Sequence, residues 1–153
     1  MKKLKSGAIC VLLTICYAGA VAQNPPSSKA DFEKPALFSD LPEKLDVNIP
    51  ALEALLDLSA GQSINVPLGR SFTLQGVIIS KSDANDPNVK AVVIKSSNRK
   101  GATLTFTRIR KEDGSFSYLG RMLSYNHRDA FEITFENGQY FLKKKKSLDI
   151  FNE

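Results

Sequence analysis

The sequence predicts a mainly all-β domain, an antiparallel meander of about six or seven strands that closes as a partly open barrel or small sandwich, with one short N-terminal helix over about residues 50–58. Three observations lead there. From Gly61 onward apolar residues recur at every second position, Glu112-Asp113-Gly114 and Asn137-Gly138 supply hairpin turns between such runs, and only Pro50 to Leu58 has helical spacing.

In chain order, Lys2, Lys3 and Lys5 precede an apolar run from Ala8 to Ala18, and Ala20-Val21-Ala22 stands before Gln23. This is the pattern of a signal peptide cleaved between Ala22 and Gln23, because the apolar run is shorter than the roughly 20 residues that a bilayer span requires. Its lysines, in place of arginines, set it apart from a mitochondrial presequence and fit a bacterial exported protein. Leu13-Thr14-Ile15-Cys16 outlines a lipidation box, but Ile15 is bulkier than the small residue expected before such a cysteine. The expected localisation is secreted or periplasmic.

Both cysteines, Cys10 and Cys16, fall within the segment expected to be lost, so no disulfide or thiol is expected in the mature chain. That segment holds three lysines and no acid, and its removal takes the formal charge from +5 to +2. The basic character of the whole chain therefore belongs mostly to the signal and gives no ground for a nucleic-acid partner.

Residues 23–36 carry Pro25, Pro26, Ser27, Ser28 and Pro35 with Phe32 as their one large apolar side chain, a composition that does not repay the entropy of ordering. They read as a flexible arm, followed by a single domain over 37–153. Leu37, Phe38, Leu41 and Leu45 lay an irregular or extended segment across the core. Asn48 caps the helix, Pro50 suits its first turn, and Gly61 is placed to stop it in a left-handed conformation. Leu52, Leu55 and Leu56 form its apolar face, with Glu53 and Asp57 turned away, so the helix is expected to plug one end of the β core.

Ile64 and Val66 open the first strand. Phe72, Leu74, Gly76 and Ile78 share one face of a longer strand, with Ser71, Thr73 and Gln75 on the other. Lys81 to Asn88 reads as a loop, and Val89 to Lys95, apolar on both faces, as a central strand. A two-residue type I′ turn at Asn137-Gly138 sets Phe135 opposite Tyr140, Ile133 opposite Leu142 and Glu132 opposite Lys143, the last as an ion pair. A three-residue loop at Glu112-Asp113-Gly114 sets Leu104 opposite Met122, Phe106 opposite Gly120, where the ring is expected to cover the missing side chain, and Arg108 opposite Tyr118 as a cation–π pair.

Chemistry-bearing groups are few. The one histidine, His127, lies in a turn between Ser124 and Asp129, and neighbourhood along a turn does not assemble a nucleophile, base and oxyanion donors. Asp83 to Asn88 has oxygen ligands at close spacing, but as a calcium loop it would put Asn88 where glycine is needed and Ile94 where a bidentate glutamate is needed. Thr103, Thr105 and Thr107 form a row that ordinary strand composition explains. Glu112, Asp129, Glu132 and Glu136 leave a small carboxylate-based hydrolase as the third-ranked reading. Lys143, Lys144, Lys145 and Lys146 form the one marked charge cluster, a binding site for an anionic polymer or membrane surface on the second-ranked reading; on a strand they split into two pairs, and lysines also block edge-to-edge strand pairing. No cofactor or metal is implied. The leading expectation is a non-enzymatic interaction module of the bacterial envelope or medium, whose partner is an envelope or secreted protein.

Overall fold

The computed structural model describes residues 34–82 and 86–146, so the expected signal and most of the arm lie outside the described residues, as does the centre of the loop after Lys81. The chain forms β1 (Lys44–Asp46), α1 (Ile49–Leu55), β2 (Ser63–Gly69), β3 (Phe72–Lys81), β4 (Val89–Ser96), β5 (Thr103–Arg110), β6 (Phe116–Leu123), β7 (Asp129–Glu136) and β8 (Gln139–Lys146). The eight strands make one antiparallel sheet in the order β1-β8-β7-β6-β5-β4-β3-β2. The class is the expected one, and the additional strand is β1, which the sequence presents only as an extended segment. Its Leu45 pairs with Leu142 on β8.

The sheet curls into a half-barrel whose two edge strands meet at one end. There the Asn48 amide donates to the Leu68 carbonyl at 2.8 Å. Gly69 faces the Asp46 carbonyl so closely that an added Cβ would sit 2.5 Å from its oxygen, a contact that excludes any side chain. Alternation along each strand puts Leu74, Ile78, Ile94, Leu104, Phe106 and Met122 on the concave face, all at 0% exposure.

Each end of the core has its own plug. At one end Leu52, Leu55 and Leu56 of α1 are buried, and burying each contributes about 1.5–3 kcal/mol. The Asn48 side-chain oxygen accepts from the Ala51 amide at 3.1 Å, the expected cap. α1 is shorter than expected and ends at Leu55, while Gly61, at φ 88°, acts further on, donating its amide to the Ile78 carbonyl at 2.7 Å.

At the other end Phe38 is wholly buried and meets Phe131 edge-on with centroids 5.0 Å apart. Asp129, itself buried, takes the Leu37 and Phe38 amides on its two oxygens at 2.6 and 2.8 Å. Arg99 clamps Asp40 with two hydrogen bonds of 2.7 and 2.6 Å and donates to the Leu37 carbonyl. That guanidinium holds the Asp40 carboxyl below the usual carboxylate range. Pro35, in the expected arm, already accepts a hydrogen bond from the Arg128 amide.

Both hairpin registers match expectation. Asn137 and Gly138 have φ of 52° and 81°, the type I′ signature, and Phe135↔Tyr140, Ile133↔Leu142 and Glu132↔Lys143 all hold. Leu104↔Met122, Phe106↔Gly120 and Arg108↔Tyr118 hold on the other hairpin, with Gly114 at φ 82°.

Candidate functional site

The unusual feature of the sheet is β6, which has two different edges. Toward β5 it pairs along its whole length, from Thr103↔Leu123 to Arg110↔Phe116. Toward β7 it pairs only at Arg121↔Glu132 and Met122↔Phe131, although both strands run on, β6 back to Phe116 and β7 forward to Glu136. Beyond Arg121↔Glu132 the two strands part, leaving an opening we call the seam.

Two side chains hold the seam apart. Gly120 has no side chain, and Ile133 fills the space: its Cδ1 lies 2.5 Å from where a glycine Cβ would project. Ile133, rather than Phe106, therefore covers the glycine, a correction to the sequence expectation. Further along, the Tyr118 amide donates to the Tyr140 hydroxyl at 3.3 Å, so a side chain from β8 stands where a carbonyl of β7 would stand in a continuous ladder. Tyr140 also meets the rings of Tyr118 and Phe135 with centroids 5.2 and 4.7 Å apart.

Behind the seam, on the concave side, lies a satisfied polar hub. Glu53 of α1 points inward, contrary to expectation, and one of its oxygens accepts from the Tyr118 hydroxyl at 2.9 Å and from Arg108 at 3.3 Å. Burial first, and then the Glu53 carboxylate, push the Tyr118 hydroxyl up to about 12. The expected Arg108–Tyr118 cation–π pair does not form: Arg108 lies over Phe116 at 4.5 Å, and Tyr118 stacks on Phe106 with centroids 5.9 Å apart. The helix draws both groups toward its acid.

On the outer face, over the stretch where β5, β6 and β7 run side by side, lies a groove of about 450 Å³, lined chiefly by Thr105, Thr107, Leu119, Arg121, Leu123 and Glu132. Two of the three residues in the expected threonine row thus line it. Leu119 is 55% exposed and Phe135 61%, and Phe116 at the far end of β6 is 41% exposed. The Thr134 hydroxyl beside the seam is buried without a hydrogen-bond partner among the described residues.

The lysine cluster is largely engaged with the domain itself. Lys143 pairs with Glu136 at 3.1 Å, not with Glu132 as its register suggests, and Glu132 instead binds Arg121 at 3.0 Å and Lys145 at 3.6 Å. Lys144 is mostly buried; its ammonium donates to the Leu41 carbonyl at 2.7 Å and pairs with Glu43 at 3.2 Å, tying β8 to the segment before β1. Lys146 stands opposite Asp129 in register. The cluster therefore divides between two faces, as its alternation predicts, and Lys44 and Lys143 share Glu136, whose carboxyl they hold below its ordinary value.

The turn histidine also has a local role. His127 Nδ1 lies 2.9 Å from the Ser124 hydroxyl, which is buried at 1% exposure, while the Asp129 carboxylate is committed to the Leu37 and Phe38 amides. The three groups therefore do not converge on a reachable nucleophile. In the loop after Lys81, Asp86 accepts from the Asn88 amide at 2.8 Å, an ordinary Asx turn, while Asp83 to Asn85 lie outside the described residues.

Together, fold and site define an antiparallel β half-barrel, plugged at both ends and partly unzipped along one seam. Comparison of the chain with protein-family models, curated proteins and solved structures gave no match. Among the described residues no helix is long and apolar enough to cross a membrane. The seam has almost no forewarning in the sequence, because alternation continues through β6 and β7 without a break; Gly120 is its one signal.

Proposed function

We propose that the chain is an exported, non-enzymatic binding module of the bacterial envelope or medium, and that it holds a partner protein at the seam between β6 and β7. The observation that carries this reading is the incomplete pairing of two long strands, bordered by exposed Leu119 on the outer face and by exposed Phe135 and Phe116 on the concave one. Clustered exposed apolar side chains are costly in water and mark surfaces that spend their working life covered. The anionic-polymer reading has weaker support, since Lys143, Lys144 and Lys145 each already answer an acid of the same chain.

The test is photo-crosslinking in the producing cell, with a benzophenone side chain placed at Leu119, at Phe135, or at Thr73 on the exposed face of β3. The reading expects one discrete protein adduct from the two seam positions and none from Thr73. Equal labelling from all three positions would overturn the reading, as would a purified protein that turns over a substrate and loses that activity on Glu132→Ala.

A further inference from the structure

We infer that the mouth of the half-barrel closed by Phe38 is a docking site for a short motif, Leu or Ile followed by Phe, a polar residue and an acid, and that Ile150-Phe151-Asn152-Glu153 of the same molecule is its second ligand, exchanging there with Leu37-Phe38-Ser39-Asp40. The inference uses neither the seam nor its partner and stands or falls apart from them.

The site is seen with the first ligand in place, and each contact reads one feature of it. The Asp129 carboxylate takes two successive amides, those of Leu37 and Phe38, at 2.6 and 2.8 Å, which locates a main chain whatever its side chains are. Leu37 packs half-buried against the core. The Phe38 ring meets Phe72 and Phe131 edge-on, with centroids 6.5 and 5.0 Å away. Ser39 is exposed, so its position accepts any polar residue. Arg99 then takes both oxygens of Asp40 in a fork at 2.7 and 2.6 Å, the geometry by which a guanidinium selects a carboxylate. Leu37 to Asp40 belong to no helix or strand, so side-chain clamps, not a ladder of main-chain bonds, hold them.

The sequence holds a second copy of what the site reads. Of its nine phenylalanines, only Phe38 and Phe151 follow Leu or Ile, and the same two alone have an acid two residues on, Asp40 and Glu153. Asn152 corresponds to the exposed Ser39. Residues 147–153 lie outside the described residues, but their point of departure is at the mouth itself, because Lys146, at the end of β8, stands opposite Asp129. Antiparallel partners sit about 5 Å apart between Cα atoms. The five residues from Lys146 to Phe151 reach up to about 17 Å, enough to turn back and present the ring. Both ligands are thus tethered to one mouth, and their competition is set by contacts rather than by protein concentration. Docking of the second releases Leu37 to Asp40 and the segment before them.

The test is native-state hydrogen exchange, read by NMR on the purified exported chain, residues 23–153. The Leu37 and Phe38 amides exchange when they leave Asp129, and a competitor in the mouth lengthens the time they are away. Phe151→Ala is expected to slow their exchange about threefold. Leu148→Ala, outside the motif, should leave it unchanged, and dilution of the protein should leave it unchanged as well. Phe38→Ala should hand the mouth to the second ligand, so that the Ile150 and Phe151 amides exchange about tenfold more slowly than in the wild type. The urea midpoint should also fall further on Phe38→Ala in a Phe151→Ala background than in the wild-type background. Unchanged exchange at Leu37 and Phe38 in Phe151→Ala overturns the inference, as does an equal response to Leu148→Ala, a rate that follows protein concentration, or unslowed Ile150 and Phe151 amides in folded Phe38→Ala. Should Phe38→Ala fail to fold, the Phe151→Ala measurement decides alone.

Discussion

The two edges of β6 belong to the same eight residues, yet one is fully zipped and the other mostly open. On the β5 side a three-residue loop sets the register, and every later pair follows from it. On the β7 side the turn through Ser124 to Arg128 starts a ladder that stops after two pairs, where Ile133 lies over Gly120. The lesson is that alternation specifies which face a residue occupies and leaves open which neighbour its backbone binds. Pairing along an edge is decided by bulk at a few crossing points.

Four changes break or sharpen this contrast, in falling order of effect. Phe131→Ala acts at the zipped pair nearest the turn, where the ring is wholly buried against Phe38; it should cost about 3–5 kcal/mol in urea unfolding. A loss under 1 kcal/mol would mean that the zipped end of the seam does not anchor the core. Ile133→Ala should cost about 2–4 kcal/mol by the same measurement.

Gly120→Ala places a methyl 2.5 Å from Ile133 Cδ1 and 3.3 Å from the Thr105 carbonyl, an overpacking worth about 1–3 kcal/mol. The double variant Gly120→Ala/Ile133→Ala should cost less than the sum of the two singles by at least 0.5 kcal/mol. Strict additivity would show that the two residues do not share one space.

The smallest effect is a pH dependence. The Tyr118 hydroxyl is pushed up to about 12 in the folded protein, against about 10 in an unfolded chain. Its contribution is fully present below about pH 10, where both states hold the proton, and is lost as pH rises toward 12, where the unfolded chain alone has released it. Wild-type protein should therefore lose stability over that interval more steeply than Tyr118→Phe, read as the urea midpoint at several pH values. Equal slopes would show that the Glu53 hub leaves Tyr118 unperturbed.

Much of the scaffold was legible because local chemistry specifies it. Asn137-Gly138 and Gly114 set two registers to the residue, Asn48 marked the start of the helix, and the leucines of α1 announced a plug. What escaped depended on elements distant in sequence. Glu53 looked solvent-facing on a helical wheel, and only its packing against β5 and β6 turns it to Arg108 and Tyr118. Register placed Glu132 beside Lys143, but long side chains reach diagonally, so Arg121 and Lys145 hold that acid instead. β1, three residues long, exists as a strand only because β8 is there to pair with it.

That last pairing has a consequence for how the molecule comes into being. Among the described residues β1 is the first strand and β8 the last, with about a hundred residues between Leu45 and Leu142. Any machinery that delivers the polypeptide from its N-terminus hands over Leu45 long before its mate exists. The opening stretch must wait, apolar and unsheltered, until the closing stretch arrives, and a chain cut short before β8 leaves Lys144 unavailable to the Leu41 carbonyl as well. Completion of the sheet is thus a signal that β8 has arrived.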